Sequence, residues 1–362
     1  MNSIPLFKVA MSKNAHKKVK KVLEPNDQGM IYCGEGPLVK EFENKFFELL
    51  HTKTKPLMVN SCTSAISLAL TLCDVKPGDE VITTPQTCLA TNHPILAHFA
   101  KIVWADIDPI TGLIDPEDVE KKINSKTKAI IAVDWCGRYC NYNKLKQFNI
   151  PVIQDAAHCL YVDNDNCGDY ICWSTQAIKF LTTCDGGFLM VPEEKYKEAK
   201  LRRWFSLDRE ASADFRCAQN AQYLGFKFQT TDVDAAIGLE NINLAVKNQK
   251  KHLYNAKYFE KNINNKYIIK PPFDKQCQWW LYTLLIPENR DHFNKYLFEN
   301  GISASQVHSR NDAHSVFDNF KTNLPNTDYF ASNQLSIPVG WWLTKENKTH
   351  IVNVINNYDI SK

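Results

Sequence analysis

The stretch Tyr170-Ile171-Cys172-Trp173-Ser174-Thr175-Gln176-Ala177-Ile178-Lys179-Phe180-Leu181-Thr182-Thr183-Cys184-Asp185-Gly186-Gly187-Phe188-Leu189-Met190 decides how this chain is read. It opens as an apolar strand, closes as a second strand that starts on two glycines, and sets a single lysine between them. Lysines ordinarily lie on solvated faces among other charges. Lys179 instead sits among Ala177, Ile178, Phe180 and Leu181, which predicts a partly buried amine. Desolvation favours the neutral form of a lysine, lowers its pKa and makes it competent to attack a carbonyl carbon.

Upstream, the apolar run Pro151-Val152-Ile153-Gln154 ends in Asp155, followed by Ala156, Ala157 and His158. A desolvated lysine and a carboxylate able to keep a pyridine nitrogen protonated are two groups that pyridoxal phosphate requires, and small residues let its ring lie close. Here the chain resembles a known family. Asp155-Ala156-Ala157-His158, Ser174, Gln176-Ala177-Ile178-Lys179, Leu181-Thr182-Thr183 and Asp185-Gly186-Gly187 are similar to the segments of the DegT/StrS-type sugar aminotransferases. The likeness spans nearly the whole chain, from Gly34-Glu35-Gly36-Pro37 to Gly340-Trp341-Trp342.

The resemblance implies an α/β, aspartate-aminotransferase-like (fold type I) large domain with a mostly parallel sheet and an N-terminal arm, residues 1–245, plus a smaller α+β C-terminal domain, residues 246–362. It implies pyridoxal 5'-phosphate as cofactor, bonded to Lys179, with Asp155 at the pyridine nitrogen, His158 near the phenolic oxygen, and Ser174, Thr63 and Ser64 at the phosphate. Cys88 stands where relatives commonly stack an aromatic ring on the cofactor. Lys227 stands where they offer an asparagine to the neighbouring subunit's phosphate, which implies a homodimer with shared sites; its other reading is a surface lysine. The implied substrates are a nucleotide-linked 4-keto-6-deoxy sugar, as for viosamine and perosamine synthases, and L-glutamate as amino donor. Arg209, His308, Arg310 and Asn311 are expected at the substrate end.

Outward from the central stretch, Glu80–Thr84, Ile102–Ala105, Ala129–Val133 and Pro151–Asp155 read as strands. Between them fall helices from Ala90 to Phe99 and after the Asp115 cap, with Pro116 at the first helical position. That rhythm predicts a parallel sheet with helices on its faces. Ligands of such sheets bind beyond the strand carboxyl ends, where Pro85-Gln86-Thr87-Cys88, Trp135, Asp155 and Ser174 fall. Trp135 reads either as a cover over the site or as packing. Ser61-Cys62-Thr63-Ser64 opens the helix Ala65–Leu72 with amides that have no intrahelical partner. On its residues alone it serves either its own helix or an anion.

Residues 14–24 read as a polar helix, and Leu38–Leu50 carries Val39, Phe42, Phe46 and Leu49 at helical spacing. A charged helix over Glu193–Arg203 and a helix start at Ala235 come next, and between them the resemblance implies a mobile loop over the polar residues 210–220. A long helix over 240–262 then crosses to the smaller domain, whose strand Trp280–Ile286 and helix Asp291–Asn300 follow.

With 362 residues, 44% of them hydrophobic, the chain has enough apolar surface for one large core and one smaller. Its 43 basic and 40 acidic side chains leave a net charge of +3, which gives no case for a nucleic-acid or membrane surface. No run reaches membrane-spanning length and no signal-peptide pattern opens the chain, so a cytoplasmic protein is expected. Twelve cysteines form no CxxC pair and no zinc spacing; reduced, mostly buried thiols and no metal are expected. Two other readings are a dehydratase of the same fold, in which histidine replaces the lysine, and a catalytically silent sensor. Lys179 stands against the first, and Lys179, Asp155 and Ser174 together stand against the second.

Overall fold

Seven short strands build the sheet that positions the site. The computed structural model describes residues 3–25, 36–211 and 217–359. Strands β1 (Leu57–Val59), β2 (Glu80–Thr83), β3 (Lys101–Trp104), β4 (Thr127–Val133), β5 (Val152–Asp155), β6 (Tyr170–Ser174) and β7 (Gly187–Met190) lie in the order β1-β7-β6-β5-β4-β2-β3. Strands β3, β2, β4, β5 and β6 pair in parallel, and β7 runs antiparallel to both of its neighbours. Ala129–Val133 of β4 and all of β5 are buried, the pattern of strands covered on both faces.

The reversal at β7 places Gly187 opposite both Val59 and Ser174, so the carboxyl ends of β1 and β6 meet at one residue. A side chain there has no room. A Cβ on Gly187 would lie 2.5 Å from the Trp173 carbonyl oxygen and 2.7 Å from the Cys62 nitrogen, so β7 reaches the start of the helix Cys62–Leu72 only as glycine.

The long helix Asp232–Asn262 begins earlier than Ala235 because Thr231 and Asp234 form a capping box ahead of it. It runs unbroken through position 245, so the expected domain boundary falls within one rigid element. Beyond it, β8 (Tyr282–Leu285) and β9 (Gln334–Ile337) pair antiparallel and pack with the helices Arg290–Glu299 and Lys345–Asn357 around Phe259, Phe293 and Ile351. Ile4 pairs with Ile302 and lies in this same core, so the first described residues of the arm join the smaller lobe.

The two amphipathic helices form at Ala15–Leu23 and Pro37–Leu50, while Gly34, Glu35 and residues 212–216 of the expected loop lie outside the described residues. The eleven described cysteines are free; most are at least half-buried, and Cys184 and Cys217 are exposed. Among the described residues no metal-holding cluster occurs and no helix is long and apolar enough to cross a membrane.

A buried ion pair locks the arm to the sheet. Arg203 Nη1 donates to Glu43 Oε1 at 2.7 Å and to the Met58 carbonyl at 2.8 Å, and the Met58 amide donates to the same Glu43 oxygen at 2.9 Å. Arg203→Met leaves Glu43 buried with Lys55, 3.8 Å away, as its remaining ion pair among the described residues. Urea denaturation is expected to show a loss of about 3 kcal/mol; a loss within the error of the measurement would show that the pair does not hold the arm.

Candidate active site

After β6 the chain doubles back to β7 through a closed loop. Thr175 and Gly186 pair through the backbone at 2.9 Å, Thr183 donates to the Thr175 carbonyl at 2.9 Å, and the Thr175 and Thr183 hydroxyls lie 2.7 Å apart. The loop carries Lys179, a partly exposed side chain whose Nζ lies 3.9 Å from the centre of the Trp280 ring. Burial lowers the pKa of this amine to about 8, against the opposing pull of Asp155.

Asp155, at the carboxyl end of β5, is 3% exposed. It accepts from Thr91 Oγ1 at 2.7 Å and the Ala157 amide at 3.0 Å, with the Cys62 thiol at 3.9 Å. Burial raises its pKa in spite of these donors, and no lysine, arginine or histidine forms an ion pair with it among the described residues. A carboxylate held this way calls for a cation, which a protonated pyridine nitrogen supplies.

The Nδ1 of His158 accepts from the Cys136 amide at 3.2 Å, which leaves the ring proton on Nε2. Desolvation first, then the nearby Lys179 and His308, push its pKa well down and keep the ring neutral. His158 stacks on Trp280 at 4.0 Å and lies parallel to His308 at 6.3 Å. Trp135 stands edge-on to both histidines, at 5.5 and 6.0 Å, so it packs the site and walls it at once. His308 follows Val307, whose φ of +66° is a left-handed conformation that a β-branched side chain rarely adopts. Burial lowers the His308 pKa to about 4.

At the meeting of β1 and β6, Ser61 caps the helix Cys62–Leu72 by accepting from the Ser64 amide at 3.0 Å, and the Ser61 and Ser64 hydroxyls lie 2.9 Å apart. Ser64 is thus engaged in the cap. The Cys62 and Thr63 amides have no partner among the described residues, and Thr63 is partly exposed. Ser174, across from Gly187, accepts from the Gln176 amide at 3.3 Å. Asn60 Nδ2 donates to the Lys227 carbonyl at 3.3 Å, so the Lys227 backbone lies beside this corner in its own chain while the residue is exposed. Unpartnered amides at a helix start, beside a serine, fit a phosphate. With the uncompensated Asp155, the Nε2 donor of His158 and the Lys179 amine, the residues fit pyridoxal phosphate.

Cys88 opens the helix Leu89–Ala97 at the carboxyl side of β2. Its loop is held by Asn311, which donates from Nδ2 to the Thr87 carbonyl at 2.7 Å and from its backbone to the Pro85 carbonyl at 2.8 Å. Asn311 is completely buried, and these bonds brace the Pro85–Cys88 loop. Arg310 grips both Asp312 oxygens at 2.6 Å and pairs with Asp328. Arg209 lies over Trp204 at 5.2 Å, on a separate cavity of about 410 Å³ with Lys200 and Glu210. Of the four residues expected at the substrate end, the structure joins only His308 to the Lys179 group. Trp341 and Trp342 line a small cavity against Lys179 with Phe7, Asn248, His252 and Trp280. Thr91 and Trp280 carry no local signal in the sequence, and both touch the site only through the fold.

The sequence profile of the DegT/DnrJ/EryC1/StrS aminotransferase family matches residues 11–356. The chain is 30% identical over 292 residues to the spore coat polysaccharide biosynthesis protein SpsC of Bacillus subtilis, covering 76% of this chain and 74% of that protein. The structure superposes on AtS13 of Actinomadura melliaura with a TM-score of 0.92 at 34% identity, covering 99% of this chain and all of that one. For the sugar aminotransferase CalS13 of Micromonospora echinospora the TM-score is 0.89 at 32% identity, over 98% and 99% of the two chains.

Asp155→Asn removes the buried charge and with it the attraction for a protonated ring nitrogen. Cofactor retention on dialysis, followed by visible absorbance, is expected to weaken at least tenfold, equivalent to about 1.4 kcal/mol. Unchanged retention would show that Asp155 does not face the ring.

Proposed function

Because the chain belongs to the DegT/DnrJ/EryC1/StrS aminotransferase family, whose cofactor is pyridoxal phosphate, we propose that it transfers an amino group from L-glutamate to the 4-keto carbon of a nucleotide-linked 6-deoxy sugar. The observation that carries transamination is the placement of Lys179, its Nζ 3.9 Å from the Trp280 ring and its pKa lowered to about 8 by burial, in one site with the buried carboxylate of Asp155. The choice of the sugar's C4 is supported by the likeness of the Gln176–Gly187 run and of Gly340-Trp341-Trp342 to viosamine and perosamine synthases.

Pyridoxal phosphate, when bound, supplies the electron sink that makes a C–H bond beside the transferred nitrogen acidic. Asp155 keeps that sink strong by holding the ring nitrogen protonated. The Cys62 and Thr63 amides and Ser174 take the phosphate, and His158 donates from Nε2 toward the phenolic oxygen. Lys179 Nζ accepts the proton from the donor's α-carbon and later returns one to the sugar carbon. An amine with a pKa near 8 suits both tasks, since at neutral pH neither protonation state is rare.

Lys227, exposed in the single chain, is assigned to the phosphate of a partner subunit, which makes a homodimer the active unit. The alternative is service to its own chain, beside whose Asn60 its backbone lies. Mixing Lys179→Ala with Lys227→Ala separates the two. Random exchange gives mixed dimers with one intact site in trans, so activity is expected to recover to about a quarter of the wild-type level. No recovery after verified exchange would place Lys227 in cis.

Incubating the protein with glutamate and a panel of nucleotide-linked keto sugars tests the substrate assignment. Amination only at a carbon other than C4 would overturn the positional assignment and leave the aminotransferase intact.

A further inference from the structure

We propose that Trp280 is the positioning residue for Lys179: one indole anchors the loop that carries the amine, gives the amine a surface to lie on, and aligns His158. The inference rests on the transaminase reading, in which Lys179 is released from the cofactor for part of each cycle.

Four observations converge on this side chain, which is 3% exposed. Trp280 Nε1 donates to the carbonyl of Ile178, the residue before Lys179, at 3.1 Å. The Lys179 Nζ lies 3.9 Å from the ring centre, within reach of the attraction between an ammonium and an indole face. His158 stacks on the same indole at 4.0 Å with planes 20° apart. The Trp280 amide donates to the Cys136 carbonyl at 2.9 Å, and the Cys136 amide in turn donates to His158 Nδ1, so backbone and ring hold the histidine together. Phe7, from the arm, packs on the indole at 5.1 Å and backs it.

A free lysine side chain has about 2 kcal/mol of rotamer freedom. Once released it must stay within reach of the substrate carbon for two proton transfers. The indole face attracts the ammonium and gives the neutral side chain an apolar surface to pack on, so it confines the amine without fixing the charged form as strongly as a buried carboxylate partner would. The indole also covers one side of the amine, whose pKa is lowered chiefly by burial.

The test uses protein without cofactor or substrate, so it stands apart from the transamination reading. Labelling of Lys179 by a small amine-reactive acylating reagent is followed against pH by peptide mass spectrometry, with surface lysines as internal reference. In the wild type the midpoint is expected near 8. In Trp280→Leu, where water reaches the amine, it should rise by at least about one unit toward the ordinary lysine value of about 10.4. Trp280→Phe keeps a ring over the amine but cannot donate to Ile178. Its midpoint should stay near that of the wild type while amides of residues 175–186 exchange hydrogen faster. An unchanged midpoint in the leucine variant overturns the proposal. Should that variant fail to fold, unchanged exchange in the phenylalanine variant overturns it equally. In the loaded enzyme, kcat of Trp280→Leu should fall at least tenfold with KM within threefold, the split expected when proton transfer rather than binding is impaired.

Discussion

The carboxylate of Asp155 is held in the interior by two hydrogen bonds and a thiol, with no ion pair to it among the described residues. Much of the surrounding structure is arranged to make that tolerable. Thr91 reaches it from the helix after β2, Ala157 turns its amide back from the end of β5, and Cys62 leans in from the first turn of the helix after β1. Three separate strand ends therefore converge on one charge. An isolated buried charge is unfavourable unless a partner offsets it, and in this chain that offset comes from the hydrogen bonds and from the charge of Lys179.

The two lobes are stitched across this centre by polar contacts. Asn311 of the smaller lobe braces the Pro85–Thr87 loop, and Asp106 of the larger accepts from the Asn326 and Thr327 amides that open the helix Pro325–Asn333. Gln278 Oε1 accepts the amides of Leu160 and Tyr161 just after His158. His252, on the helix spanning both lobes, meets the Trp279 carbonyl at 2.9 Å. Each contact satisfies backbone groups that would otherwise be buried unpaired at the seam, so separating the lobes exposes the site and orphans those groups together.

What was legible in the sequence divides along this seam. Lys179, Asp155 and His158 could be picked out because short apolar runs and small residues surround them locally, and the strands and their mostly parallel run followed from periodicity, whereas their order in the sheet did not. The helix start at Ser61 was legible as a cap, but not which hydroxyl the cap would consume; the fold gives Ser64 to Ser61 and leaves Thr63 open. Arg310 and Asn311 carry the residue types expected of a substrate site, yet their side chains are taken by Asp312, Asp328 and Thr87. A polar side chain's task depends on which partners the fold brings to it, and those partners lie up to hundreds of positions away. Trp280 was invisible for the same reason: nothing within Gln278-Trp279-Trp280 says which of two adjacent indoles faces the lysine.

The pairing of Ile4 with Ile302, and the seat of Phe7 on Trp280, have a consequence for how the chain is made. Contacts that join the first residues to the last third carry a large loop-closure cost and form late. On a ribosome adding ~5–20 residues per second, about 100 residues separate Lys179 from Trp280, so the lysine emerges roughly 5–20 s before the surface it rests on. Through that interval the nascent large lobe offers an amine still open to water. On the positioning role proposed for Trp280, the environment that lowers the Lys179 pKa is complete only once the smaller lobe has been synthesised and has docked.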